Sequence, residues 1–279
     1  MSGEPVVHDA ITAAAEVPGL VVERRGAVLR IRLSRPDKRN ALSREMVRGL
    51  LACIEHAPDD EALRVIDLAG EGGHLCGGAD WVAGNAPSGA RPRVGAIARR
   101  MARESSRLVE RMLRVQLPIV CRVRGWAAGI GCHLALASDF AVAAEDARFW
   151  EPFVERGFTP DSGGSWLLPR LVGVARARRM LLLGEQVDGR RAADWGLIHE
   201  AVAADALDAT CDALVARLAR AATASLGLTR QLLAGALDQP LAQALEAEAA
   251  ALELSARSLD FKEGLAAFRE GRDPDYQGR

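Results

Sequence analysis

Apolar positions in the first half of the chain fall into short alternating or continuous runs, and residues typical of turns separate these runs. Such runs, when rich in β-branched residues, are typical of strands. The first two runs flank Arg24, Arg25 and Gly26, which predicts a hairpin or a pair of strands. The predicted strands cover residues 21–23, 28–33, 65–69, 119–123 and 140–144, and residues 197–202 are a further candidate.

Helical periodicity fills the intervals between these strands and dominates after residue 164. Ser43 is placed to cap a helix that reaches about residue 57, and Pro118 ends a long helix that spans about 94–116. The alternation of strand, loop and helix predicts an α/β sheet core in which ligands bind where strands end in loops. The other predicted helices are 132–137, 174–183, 189–196, 204–222, 225–237, 241–257 and 260–270.

The same pattern divides the chain into three parts. We expect residues 1–18 to be a disordered extension, residues 19–200 an α/β core and residues 201–279 a helical C-terminal region. Acidic residues interrupt the N-terminus, so a signal peptide is not predicted. The most hydrophobic stretch, 123–144, contains Arg124, His133 and Asp139, which argues against a membrane span.

Composition narrows the classes of function. The chain has 279 residues, 49% of them hydrophobic, which is enough for the core of one large domain. Its formal net charge of -1 gives no electrostatic footprint for nucleic acid. The five cysteines are widely spaced and match no metal-ligand pattern, so neither a disulfide framework nor a metal site is predicted. We expect a cytoplasmic protein without a metal, a nucleic-acid partner or a membrane partner.

Two glycine-rich turns each follow a predicted strand. Residues 77–80 allow backbone N–H groups to point into a cavity, because glycine has no Cβ in the way. Residues 125–131 open onto a helix, whose free N–H groups and positive dipole end attract negative charge. A single Gly-Gly pair is more often an ordinary tight turn. Two such turns together predict a pair of donors to one carbonyl oxygen.

Asp161 is a candidate proton carrier, because it stands on the glycine-rich turn 160–164 beside apolar residues. The same composition also describes a helix N-cap, whose carboxylate accepts N–H bonds from residues two or three positions further on. His133 lies three residues after Ile130 and on the same helical face. It is either an assistant in proton transfer or a buried structural histidine.

Glu151 and Glu155 are candidates for a second carboxylate. They share a face with Phe153 if residues 149–155 are extended. The alternative is that both lie on a solvated rim or pair with a neighbouring arginine, so they rank below Asp161.

In combination, these motifs resemble those of the enoyl-CoA hydratase/isomerase, or crotonase, family over nearly the whole chain. Residues 33–43 are similar to the family's entry motif, and residues 76–80 to its first oxyanion loop, which implies the Ala79 N–H as a donor. Residues 125–133 are similar to its second oxyanion loop, which implies the Ile130 N–H as the other donor. The turn 160–164, the motif 168–173 and the ending 263–268 complete the pattern.

The resemblance implies a fold and a ligand. The implied fold is the α/β crotonase, or ClpP-like, spiral of ββα units with a helical C-terminal trimerisation region. The implied partner is an acyl-CoA thioester, with CoA as part of the substrate and no prosthetic group, in a homotrimer or homohexamer. The residues implied to bind the thioester are Lys38, Arg39, Ala41, Leu42, Gly77, Gly78, Asp80, Trp81, Trp126, Gly129, Gly131, Phe153 and Trp166.

The chain departs from the hydratases of this family at two positions. Those enzymes use two glutamates around the attacking water, and the corresponding residues here are His133 and Phe153. Asp161 stands where isomerases and dehalogenases of the family have their working aspartate. The surrounding sequence is most similar to the branch that isomerises ring-epoxides of phenylacetyl-CoA and shifts double bonds between β,γ and α,β positions.

We therefore expect an acyl-CoA isomerase whose catalytic residues are Asp161, Ala79, Ile130 and His133. The first alternative is an enoyl-CoA hydratase that uses Asp161 with His133 or Glu151. The second alternative is a non-catalytic acyl-CoA binding protein.

Overall fold

The computed structural model describes residues 8–80 and 93–279. Its larger sheet has six strands in the order β1-β2-β3-β4-β6-β9. β1 pairs antiparallel with β2 as the predicted hairpin, and the other neighbours in this sheet pair parallel. The strands are β1 (Leu20–Arg25), β2 (Val28–Leu33), β3 (Val65–Gly70), β4 (Ile119–Val123), β6 (Phe140–Ala144) and β9 (Glu200–Val202), which confirms the predicted set.

A smaller sheet, in the order β5-β7-β8, stands beside the carboxyl ends of the parallel strands. β5 (Trp126–Ala128) pairs parallel with β7 (Arg148–Trp150), and β7 pairs antiparallel with β8 (Val187–Asp188). β5 lies within residues 125–131, where only a turn was predicted. Three residues are too few to give a strand pattern in the sequence, and pairing with β7 determines their extended conformation.

Helices cover the sheets and form most of the C-terminal region, as predicted. Ser43 caps α2 by accepting a hydrogen bond from the Met46 N–H at 3.2 Å. The helices are α1 (Asp9–Ala15), α2 (Arg44–His56), α3 (Ala96–Arg103), α4 (Ser105–Arg114), α5 (Ile130–Leu136), α6 (Gly164–Leu183), α7 (Gly189–Asp194), α8 (Leu207–Ala219), α9 (Thr223–Gly235), α10 (Leu241–Ser255) and α11 (Leu259–Glu270).

Three regions differ from the sequence prediction. The long helix predicted over 94–116 is two helices, because Glu104 leaves the helical region with φ -121° and ψ -100°. α6 begins at Gly164 rather than at residue 174, and Gly173, with φ 75°, bends it. The expected extension 1–18 is helical over α1, which buries Ile11 and Ala14 against the core.

All five cysteines are buried and unpaired. Within residues 8–80 and 93–279, no helix is both long enough and apolar enough to span a membrane.

Candidate active site

The two glycine-rich loops are joined to each other by backbone hydrogen bonds. The Cys76 N–H donates to the Trp126 carbonyl at 2.8 Å, and the Ala128 N–H donates to the Cys76 carbonyl at 2.9 Å. These bonds form a parallel bridge between Cys76 and Ala127. Gly131 permits this approach, because a Cβ there would lie 2.6 Å from the Cβ and carbonyl oxygen of Cys76. The loops are therefore held as one unit.

The first loop leaves the Ala79 amide free. The Leu42 N–H donates to the Gly78 carbonyl at 2.8 Å, and the Asp80 N–H donates to the Leu42 carbonyl at 2.9 Å. These bonds fix the backbone on both sides of Ala79, whose own N–H has no acceptor within the described parts of the chain. Gly78 has a φ of +105°, a conformation that favours glycine.

The second loop presents the Ile130 amide. Gly129, with φ 50° and ψ -122°, is the N-cap of α5 and donates its N–H to the Trp150 carbonyl at 2.8 Å. Ile130 is the first residue of the helix, so its N–H has no intrahelical acceptor. Because the dipole of α5 adds positive potential here, the site suits an oxyanion.

Both amides open onto a cavity of about 200 Å³ between α2, α3, α4 and the turn before α6. A wider mouth adjoins it, shares Ala79, Asp80 and Asp161 with it, and is also lined by Lys38, Ala41 and Gly77. Apolar side chains, charged side chains and the loops that carry the two amides all contribute to its lining. Its lining includes Leu42, Val47, Gly78, Ala79, Met101, Gly129, Ile130, Phe153, Phe158 and Asp161.

Asp161 lines both the cavity and its mouth and is half-buried. It does not cap α6, because the N-cap is Gly163 and no side chain makes a capping hydrogen bond there. Its backbone carbonyl accepts the Gly164 N–H at 3.1 Å. Ser162 (φ 46°) and Gly163 (φ 92°) are both left-handed and form the turn that follows Asp161. The helix-cap interpretation is therefore wrong, and the role of Asp161 as proton carrier stays a prediction.

Phe153 closes the back of the cavity. It is 3% exposed, and its ring makes an edge contact with Phe158 at a centroid distance of 5.4 Å. The extended segment expected over 149–155 ends at Trp150, and a 3-10 helix, Val154–Arg156, follows. As a result, Glu155 is exposed and points against Gly184, away from the cavity.

His133 and Glu151 lie behind this wall and do not line the cavity. Both are 0% exposed, and the His133 Nε2 and Glu151 Oε1 atoms are 3.2 Å apart, at an angle that does not make a hydrogen bond. Burial alone would lower the pKa of His133, but the carboxylates of Glu151 and Asp161 outweigh burial and raise it above its usual value. The His133 ring stacks on Phe153 at 6.0 Å.

Several predicted binding residues lie elsewhere. Trp126 packs against Trp150, and Trp166 is 37% exposed beneath the Arg170 guanidinium. Neither tryptophan is among the residues that line the cavity or its mouth. Gly131 contacts Cys76 rather than the cavity. Trp81 lies outside the described residues.

The expected contacts for the CoA portion lie at the mouth. Lys38 is half-exposed there, with its Nζ 3.8 Å from Asp80, and Arg39 is an exposed left-handed residue with φ 51°. Asp80 is also bound by Arg35 at 2.9 Å. The cations beside the mouth suit the phosphates of a CoA ester.

Sequence reasoning missed two residues that shape the site. Asn40 is fully buried, accepts from the Arg35 N–H at 2.8 Å, and donates to the carbonyls of Glu71 (3.0 Å) and His74 (2.7 Å). Its position in a turn motif could have predicted this role, because asparagine tolerates positive φ. The second residue is Glu104, whose carboxylate lines the cavity and is bound by the guanidinium groups of Arg44 and Arg48. Because these arginines lie far from Glu104 in the sequence, no local pattern predicts the contact.

Comparison with known proteins agrees with this geometry. The family model for enoyl-CoA hydratase/isomerase matches residues 23–279. A 1,2-epoxyphenylacetyl-CoA isomerase from Escherichia coli (strain K12) is 36% identical over 253 residues, which cover 90% of this chain and 95% of that protein. A 2,3-dehydroadipyl-CoA hydratase from the same organism is 31% identical over 260 residues, covering 93% and 99%.

A solved structure confirms the crotonase fold expected above. The crystal structure of an enoyl-CoA hydratase from Mycobacterium smegmatis superposes with a TM-score of 0.85 and 29% identity, covering 93% of this chain and 99% of that one. The chain belongs to the enoyl-CoA hydratase/isomerase, or crotonase, family.

Proposed function

We propose that this protein is an acyl-CoA isomerase in which Asp161 carries the proton and the Ala79 and Ile130 amides hold the enolate. The observation that supports this most directly is that Asp161 and both free amides line one cavity. The substrate class is a CoA thioester with a β,γ double bond or a ring-epoxide. The similarity to a 1,2-epoxyphenylacetyl-CoA isomerase supports the same class.

A double-bond shift needs one base and one oxyanion site. The Asp161 carboxylate takes a proton from C2, and the C–H electron pair moves toward the thioester, so that the oxygen becomes an enolate oxyanion. The two amides donate to that oxygen, and each such donor typically contributes about 2.7 to 4 kcal/mol. Asp161 then returns the proton to C4, and the double bond lies between C2 and C3. The proton leaves and returns on one face, so one carboxylate suffices.

Hydration is less well supported, because it needs a second acid or base beside a water molecule. Glu151 is fully buried and Glu155 is exposed to solvent, and neither lines the cavity. Three other carboxylates of the cavity wall are already engaged. Arg35 holds Asp80, and Arg44 and Arg48 hold Glu104. Hydrogen bonds from its own backbone N–H and from Ser43 lower the pKa of Glu45. Phe153 itself cannot transfer a proton.

The test compares two reactions on the same protein. The rates of β,γ to α,β conversion and of water addition to the α,β ester are measured for the wild type, Asp161→Asn and Glu155→Gln. We expect Asp161→Asn to lower isomerisation about 10²- to 10⁴-fold, the usual contribution of a positioned acid or base. Glu155→Gln is the matched control and should leave isomerisation unchanged.

Two results would refute this assignment. Hydration that survives Asp161→Asn and exceeds isomerisation in the wild type would show a hydratase. Tight binding of CoA esters by calorimetry, with no turnover of linear, branched, aromatic or ring-epoxide esters, would show a non-catalytic binding protein.

The C-terminal helices support a homo-oligomer, either the trimer or the hexamer. Leu252 (65% exposed), Leu254 (61%) and Phe268 (86%) leave large apolar surfaces on α10 and α11 uncovered. Exposed apolar surface of this kind is typical of a chain that associates with further copies or partners. Light scattering should give a multiple of the 29.8 kDa chain mass, and a monomer at micromolar concentration would contradict this proposal.

A further inference from the structure

His133 and Glu151 form a charged cluster that the isomerase mechanism does not use. Each side chain is fully buried, on the far side of Phe153 from the cavity. The Phe153 ring stacks on the His133 ring with an interplanar angle of 17° and so separates it from the acyl group. Neither side chain of this pair is among the residues that line the cavity.

The surroundings of the pair favour an imidazolium beside a carboxylate. Among the described residues, neither ring nitrogen of His133 and neither carboxylate oxygen of Glu151 has a hydrogen-bond partner. An isolated buried charge is strongly unfavourable, so the two groups at 3.2 Å compensate each other. The titratable groups that act on the imidazole are Glu151, which follows β7, and Asp161, from the turn before α6. On its own helix, Cys132 stays a neutral thiol, because burial and Glu151 raise its pKa.

The His133 ring lies directly against the turn that carries Asp161. A Cβ on Gly164 would lie 2.6 Å from His133 Nε2, so the ring packs against the backbone of that residue. Gly164 in turn donates its N–H to the Asp161 carbonyl. The positive ring also attracts the Asp161 carboxylate. The turn is therefore supported from behind by contact and by charge.

We propose that His133 and Glu151 are positioning residues, a buried imidazolium–carboxylate pair that holds the 161–164 turn and orients the Asp161 carboxylate for proton transfer. This proposal rests on the proposed role of Asp161 as proton carrier. Glu151 keeps the imidazole charged, and the imidazolium acts on Asp161.

The charge state can be measured without turnover. Nitrogen-15 NMR of the histidine side chains across a pH titration, with His133→Gln to assign the signal, should show that the His133 ring loses its proton at a pH above the ordinary value of about 6.5. Glu151→Gln should convert the ring to its neutral form, because burial without a carboxylate disfavours the imidazolium. A wild-type His133 ring that titrates at or below about 6.5 would overturn the proposal.

The role is tested by the pH dependence of kcat. The folded-state pKa of His133 is raised, so the effect of the pair is complete below the unfolded value of about 6.5 and is lost as pH rises through the folded value. We expect both single variants to lower kcat about 10- to 100-fold at about pH 6.5, with little change in KM, because a misplaced carboxylate slows chemistry rather than binding. The difference from the wild type should shrink as pH rises through the folded value. Lowering the pH should partly restore Glu151→Gln by recharging the ring, and should not restore His133→Gln.

Leu134→Ala is the matched control, because Leu134 is the next buried residue on the same helix and carries no charge. It should lower stability while keeping the wild-type pH profile of kcat. Folded His133→Gln protein with wild-type kcat across the pH range would overturn the proposal, while loss of isomerisation in Asp161→Asn would still support the proposed function. If Asp161→Asn retained isomerisation, the proposed function would be refuted. The positioning role of His133 and Glu151 would then be refuted too, even if NMR showed a protonated His133 ring.

Discussion

Gly131→Ala is expected to separate the two oxyanion donors. Gly131 has no positive φ and lies inside α5, so alanine meets no backbone penalty and gains helix propensity. The added Cβ, however, would lie 2.6 Å from the Cβ and carbonyl oxygen of Cys76. Carbon atoms prefer separations of about 3.5 to 4.0 Å, so one loop must retreat by about 1 Å.

That retreat moves the Ile130 amide relative to the Ala79 amide. A displacement of about 1 Å at a catalytic group costs on the order of 10²-fold, and the loss of one oxyanion donor costs about 2.7 to 4 kcal/mol, or 10² to 10³ in kcat. We expect kcat for β,γ to α,β isomerisation to fall by this range. KM should change less, because Lys38 and Ala41 at the mouth are not displaced.

Gly73→Ala is the control, since no atom of the described chain lies within 4 Å of a Cβ at that position. Circular dichroism and thermal melting should show that both variants fold. Folded Gly131→Ala protein with kcat within about threefold of the wild type would refute the claim that the bridge between the loops sets the donor geometry, since a lost donor costs far more.

Two further outcomes follow from buried groups near the site. Asn40→Ala should lower the free energy of unfolding in urea by about 3 kcal/mol, because three hydrogen bonds of about 1 kcal/mol each are lost. Asn40→Gly should lower it by less, because glycine tolerates the φ of 56° at this position. Equal losses of unfolding free energy in the two variants would show that the backbone conformation does not contribute. Burial raises the pKa of Cys53, Cys76 and Cys211 to about 12, so Ellman's reagent at pH 8 should leave the native thiols unlabelled and should label all five cysteines in guanidinium. Rapid labelling of several thiols in the native protein would contradict the burial of these side chains.

The strands and most helices could be predicted from local pattern, because each carries its own periodicity and end signals. Ser43 caps α2 as its position suggested, and β1 and β2 form the predicted antiparallel pair on either side of Gly26. The break at Glu104 could not be predicted, because it depends on Arg44 and Arg48, about 60 residues earlier in the chain. Tertiary ion pairs of this kind leave no trace in a short window of sequence.

For the site, a pair of amide donors could be proposed from the two glycine-rich turns that follow strands, whereas Ala79 and Ile130 as the donors and Asp161 as the proton carrier followed from the family resemblance. The relation of His133 to Glu151 could not, because it depends on where the chain turns after Trp150. An extended segment would have placed Glu151 and Phe153 on one face. The 3-10 helix Val154–Arg156 follows instead, and Glu151 lies inside while Phe153 forms the wall.

The bridge between Cys76 and Ala127 has a consequence for the energetics of turnover. Because the two loops share backbone hydrogen bonds, the Ala79 and Ile130 amides are oriented when the protein folds rather than when the substrate arrives. In the proposed isomerisation, water would have to reorient around a new oxyanion in every cycle, whereas these dipoles would already point at its position. On that proposal the scaffold lowers the reorganisation energy for any enolate, and the side chains at positions 133, 151, 153 and 161 determine the route of the proton.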